Sequence, residues 1–153
     1  MRQRALMLAA ITAVLIVASP SSFAALSRLD SGGKVRVRIA GANNGQDVRN
    51  GGVSGKGQFT ATGAIADKGT VVAYRTVKGN LDTGNAVITV RNVAKGAKGT
   101  LTFLVKIVVQ PATTTSGWTV TSGTRAYKGL QGGGKEYENA DHTVVILAGT
   151  VSR

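Results

Sequence analysis

The chain has no cysteine, one histidine and only two prolines among its 153 residues. Without cysteine there can be no disulfide framework, so stability must come from an apolar core or from subunit contacts. With no thiolate and a single imidazole, His142, a metal centre lacks its usual ligands, and neither metal nor cofactor is expected. Aromatic residues are few: one tryptophan, three tyrosines and three phenylalanines. Single-stranded nucleic acid is held by stacking platforms beside a concentrated basic patch. Here the basic residues are spread through every segment, so nucleic acid is not the expected partner. Acidic residues are scarce too, seven against nineteen lysines and arginines, which gives a formal charge of +12. That imbalance favours anionic partners such as surface polymers or acidic saccharides.

The N-terminus has the pattern of an export signal. Arg2 and Arg4 precede an uninterrupted small and apolar run from Ala5 to Ala18, Pro20 breaks it, and Ser22-Phe23-Ala24 offers a cleavage site. The run is shorter than the roughly 20 residues of a membrane span. Cleavage after Ala24 is expected, giving a signal over 1–24 and a single secreted domain over 25–153 with no transmembrane segment. Loss of Arg2 and Arg4 lowers the charge from +12 to +10, still strongly basic.

Beyond the signal there is no helical periodicity, while alternation with period two recurs throughout. It predicts eight strands: 34–39, 58–65, 70–78, 86–92, 100–110, 118–122, 135–139 and 142–152. Lys34-Val-Arg-Val-Arg-Ile39 alternates most cleanly, with Val35, Val37 and Ile39 on one face and three cations on the other. The asparagine-rich stretch 41–52 reads as a loop, as do Asp67-Lys68-Gly69, 95–99 and 113–117. No helix is long enough to join parallel strands, so the fold class is all-β and mainly antiparallel. Eight such strands can close into a barrel; a two-sheet β-sandwich is the alternative. Two strands carry apolar residues on both faces: Leu104 and Val108 oppose Leu101 to Val109, and Val144 and Ile146 oppose Val145 and Leu147. Such faces need a cover, and a homo-oligomer is one way to supply it.

The densest pattern is Gly123-Thr-Arg-Ala-Tyr-Lys-Gly-Leu-Gln-Gly-Gly-Gly-Lys-Glu-Tyr-Glu138. Gly129, Gly134 and Lys135 match the spacing of a phosphate-binding loop. Such a loop needs Ser or Thr next and then a helix, whereas Glu136 follows here and opens a strand. A structural turn fits better. Gly123 and Gly129 allow sharp bends, Tyr127 and Leu130 plug a barrel end, and Gly132, Gly133 and Gly134 let the following strand bend or other groups approach it.

Together with the eight strands, Gly123-Thr-Arg-Ala-Tyr127, Gly129-Leu130 and Gly132 to Gly134 resemble a motif of the allene oxide cyclase barrel group, which is distantly similar to dirigent proteins. The similarity extends over Thr70 to Arg153, including Lys68-Gly-Thr-Val-Val-Ala-Tyr-Arg-Thr-Val-Lys-Gly79 and Leu147-Ala-Gly-Thr-Val-Ser-Arg153. The chain also looks similar to small secreted proteins of actinomycete type. The resemblance implies a closed antiparallel barrel with an apolar cavity, often in a trimer; it carries over no catalytic residue.

Five residues stand out as ligand-binding candidates: Tyr74, Arg75, Trp118, Glu136 and Glu138. Tyr74 and Arg75 face opposite ways, and the pattern of Val71 and Val72 leaves open which points inward. An inward Arg75 would need a partner such as Glu136 or Glu138. Those two glutamates share a face. Tyr137 is the better core residue, so the pair is expected outside; Trp118 is expected in the core. Asp141 and His142 complete the set of acid–base types, with no Ser–His–Asp triad supported. The expected function is an exported, non-enzymatic barrel that binds an apolar or amphipathic small molecule, oligomerises, or both. Alternatives are a cyclase- or isomerase-like enzyme acting on a lipid-derived substrate, and a basic surface protein binding anionic wall polymers.

Overall fold

The computed structural model describes residues 32–42 and 52–153. The expected export signal with its cleavage point, and most of the asparagine-rich loop, lie outside the described residues. Eight strands follow one another: β1 Gly33–Ala40, β2 Val53–Gly63, β3 Asp67–Asn80, β4 Asn85–Gly96, β5 Gly99–Gln110, β6 Thr113–Gly123, β7 Gln131–Glu138 and β8 Val144–Ser152. Each pairs antiparallel with its neighbour, and β1 pairs with β8 from Gly33–Val151 to Ala40–Val144. That last seam closes the sheet into a barrel and sets aside the sandwich. Among the described residues no helix is long and apolar enough to cross a membrane.

Strand boundaries differ from the sequence reading in several places: β2 begins at Val53 instead of 58, β4 runs on to Gly96, and three further differences bear on the site. Asp67-Lys68-Gly69 is not a turn but the start of β3; the chain turns at 64–66. The Asp67 carboxylate accepts hydrogen bonds from Ala97 and Lys98 in the turn between β4 and β5, as well as from the adjacent Lys68 N–H. The 113–117 stretch is the first half of β6, because the turn is only two residues long, Pro111 and Ala112. The glycines Gly132, Gly133 and Gly134 belong to β7, not to the turn before it.

Alternation sorts the side chains as the pleat requires. Inward positions supply Val35, Val37 and Ile39 from β1, Phe59 and Ala61 from β2, Val71 and Ala73 from β3, and Leu101, Phe103 and Val105 from β5, all buried. Phe103 and Leu147 are 0 % exposed, which leaves no water-sized void beside them. Phe103 meets Trp118 edge to face at 5.7 Å, a favoured aromatic geometry. The apolar cavity implied by the resemblance is therefore filled through the middle of the barrel.

Outward positions are basic without exception of sign. Lys34, Arg36 and Arg38 line β1, Lys56 β2, Lys68 and Lys78 β3, Arg91 and Lys95 β4, Lys106 β5 and Lys135 β7. Among the described strand residues no carboxylate faces outward: Asp67, Glu136 and Glu138 all occupy inward positions. Cations such as Arg36, Arg91 and Lys106 in mid-strand are incompatible with a lipid-facing band. The outward apolar residues Val93, Leu104, Val108 and Ile146 are half-buried. Long basic neighbours shield such side chains with their methylene stems, and Arg91 lies over the Tyr74 ring at 4.1 Å.

One end of the barrel is plugged. A short 3-10 turn, Arg125–Tyr127, folds back after β6 and buries Tyr127 and Leu130. The Tyr127 hydroxyl donates to Asp67 Oδ2 at 2.6 Å, and the backbone N–H groups of Lys68, Ala97 and Lys98 donate to the same carboxylate. Asp67 thus ties three connections together: 64–66, 97–98 and 124–130. Burial works to raise its pKa, but the hydrogen bonds from Tyr127 and the three amides outweigh it and hold the carboxyl below its ordinary value.

Candidate functional site

The opposite end, the mouth, is built differently. One hydrogen-bonded rung runs Val77, Ile88, Ile107, Ser116 across β3 to β6. It continues to β7, where the Ser116 hydroxyl donates to the Glu136 backbone oxygen at 3.1 Å. Half-buried Val77, Ile107 and Val109 make an apolar arc on one side. Ser116, Glu136 and Glu138 make a polar arc on the other. One rung deeper lie Arg75, Val90, Val105, Trp118 and Gly134.

Val71 and Ala73 are buried, so Arg75 takes the inward position two residues on and Tyr74 stands outside. This resolves the parity that the sequence left open. It also separates the two: Tyr74 stacks under Arg91 on the outer wall, away from the mouth.

Glu136 and Glu138 are inward as well, contrary to the expected outer placement. Tyr137 is 54 % exposed on the outer wall, whereas Glu136 is only 8 % exposed. The sequence argument failed because it assumed an apolar interior over the whole length of the barrel, and the interior turns polar near the mouth. Burial is the main force raising the Glu136 pKa. Ser116 opposes it, while Glu138, through like charge and a shared hydrogen bond, pushes the same way. The Oε1 atom of Glu136 is buried with no hydrogen-bond partner. Glu138 in turn contacts Nδ1 of His142 at 2.5 Å, and the imidazole is largely exposed. Asp141 caps this last turn by accepting from the Thr143 N–H and hydroxyl, which lowers its pKa.

Trp118 is core, 2 % exposed, and forms the floor under the mouth. It pairs with Gly134 on β7, and Gly134 pairs with Gly149 on β8. Its Nε1 donates to the Ala148 carbonyl at 3.2 Å, two strands away. The indole therefore crosses β7 at a glycine. This is the physical role of Gly134 and Gly149: a Cβ at either would overlap a neighbouring strand's carbonyl oxygen.

The structure thus brings Arg75, Trp118, Glu136 and Glu138 to one end and leaves Tyr74 outside. Gly123, Tyr127, Gly129 and Leu130 lie at the plugged end, where Gly129 adopts φ +77°. The sequence reading missed Ser116, hidden in what looked like a turn, and Asp67, taken for a turn residue. No family model, curated protein or solved structure matches this chain.

Proposed function

We propose that this is an exported barrel that holds a small amphipathic molecule in its mouth and does so as a binding protein. Export rests on the N-terminal pattern. Binding rests on one observation above the rest: Glu136, buried at the lip with a hydrogen-bonding atom unpartnered, faces an apolar arc. Buried polar atoms are nearly always satisfied, so an orphan at an opening calls for a partner. Because burial favours its protonated form, Glu136 suits a ligand hydroxyl or carbonyl. Val77, Ile107 and Val109 suit a short hydrocarbon body, and the packed layer of Trp118 and Phe103 limits its depth.

A second reading, an isomerase- or cyclase-like activity on the same ligand, is favoured by the acid pair alone. Glu136, its pKa raised first by burial, stands beside Glu138 and supplies the acid for a bound carbonyl.

Native mass spectrometry of the protein purified from its own organism tests the reading, with titration of medium-chain alcohols followed through Trp118 fluorescence. A co-purifying small molecule and a saturable shift are expected, with Glu136→Ala weakening the alcohols about tenfold. An empty protein with unresponsive fluorescence overturns it. Recovery of a chemically altered ligand favours the enzyme.

A further inference from the structure

The outer wall carries a second site, independent of the mouth. Between β7 and β1 runs a groove of 710 Å³ whose floor is the outer face of β8. Register explains its shape. On successive rungs Tyr137, Ile146 and Arg38 lie side by side, then Lys135, Ala148 and Arg36, then Gly133, Thr150 and Lys34. The middle residue shrinks from Ile146 to Ala148 and Thr150, while Arg38, Arg36 and Lys34 stand along one side and Lys135 on the other. Gly133, at an outward position beside Thr150, leaves backbone bare at one end of the channel.

From this geometry we infer that the groove binds a single extended chain of an anionic polysaccharide. The walls are two strand spacings apart, about 10 Å, the width of one polymer chain rather than of a folded partner. Lys34 and Arg36 are two residues apart on β1, about 7 Å, so a chain lying along β8 meets a cation at regular intervals. Lys135 answers from the opposite wall. Among the described strand residues no outward carboxylate is present to neutralise them, so the field in the groove has one sign. Arg36 presents a planar fork that pairs with a carboxylate or a phosphate through two hydrogen bonds. Tyr137, exposed at one end, offers an amphipathic ring face to a sugar.

Binding of the full chain to polygalacturonate, to a glycerol-phosphate polymer and to neutral dextran, measured by calorimetry over a salt series, tests this inference. Both anionic polymers report on the same cationic walls; the tighter of the two identifies the charged group. The double variant Arg36→Gln/Lys135→Gln should weaken the preferred polymer about tenfold or more. The control Arg91→Gln/Lys106→Gln removes the same charge from the far wall and should weaken it no more than about twofold. Equal losses in the two doubles would show diffuse attraction to net charge and overturn the groove. Equal binding of dextran, or tighter binding of a single-stranded oligonucleotide in competition, would overturn the polysaccharide as its occupant. Circular dichroism of both doubles should be unchanged, since all four side chains point to solvent.

Discussion

Glu136 and Asp67 are both inward carboxyls on an otherwise apolar face, and their surroundings push them in opposite directions. Glu136 has its pKa raised, first by burial and then by Glu138. A raised carboxyl favours the folded state fully at low pH, and that advantage is lost as pH rises through the folded-state pKa. Glu136→Gln keeps the shape and removes the ionisation. Thermal melts should therefore show the variant more stable than the parent at pH 8, the gap closing below about pH 4, where a carboxyl is protonated in both states. A variant less stable at pH 8 would mean that the anion is the form the fold prefers. Asp67 has its pKa lowered despite burial, by Tyr127 and three backbone amides. Its contribution is present above the unfolded-state value and is lost as pH falls through the folded one. Tyr127→Phe removes the hydroxyl and keeps the ring, so it should cost about 1–2 kcal/mol at pH 7, the low end for a bond to a charged but partly exposed group. The difference should narrow in acid; denaturant titrations at pH 7 and pH 3 would show it.

At the level of strands, β1 was fully legible: three apolar and three basic residues in strict alternation fix both its faces. The turn before β3 was not. Asp67-Lys68-Gly69 has turn chemistry, yet its aspartate serves a hydrogen-bond network assembled from residues distant in sequence, which no local pattern discloses. Likewise β7 was read two ways at once. Its glycines look like a loop, and only the close approach of the β6 and β8 backbones explains why a strand should be bare there. The glutamates beyond them were misplaced because a polar barrel end leaves no mark in a single strand's periodicity. The glycines of the segment divide accordingly into two classes with different costs. At Gly129 a Cβ would meet open space, so Gly129→Val pays only for its positive φ, about 1–2 kcal/mol. At Gly134 a Cβ would collide with the Ala148 carbonyl and the Gly149 backbone of β8. Gly134→Ala, though the smaller change, should cost more than about 3 kcal/mol or abolish folding. Equal melting temperatures for the two variants would contradict the close approach of β8 to Gly134.

Taken whole, the barrel is closed but not evenly sewn. From β3 to β5 the ladders run nearly the full length of the strands, Gly69–Gly96 to Asn80–Asn85 and then Ala86–Val109 to Gly96–Gly99. Between β6 and β7 the ladder pairs only Trp118 with Gly134 and Thr119 with Gly133. Toward the mouth that seam is held by the Ser116 hydroxyl on Glu136, and toward the plug by the turn carrying Tyr127. Local opening free energy follows the density of such bonds, so the weak seam should open first and without global unfolding. Hydrogen exchange should then be fastest, among strand amides, over 113–117 and 135–138, and slowest over β4 and the inner half of β5. The seam borders both the mouth and the β7 wall of the outer groove. A small molecule bound at Glu136 should therefore slow exchange in 113–117 and 135–138 together, because it bridges the two sides where backbone pairing is missing. Protection confined to β7, with 113–117 unchanged, would place the ligand on the outer wall instead of in the mouth.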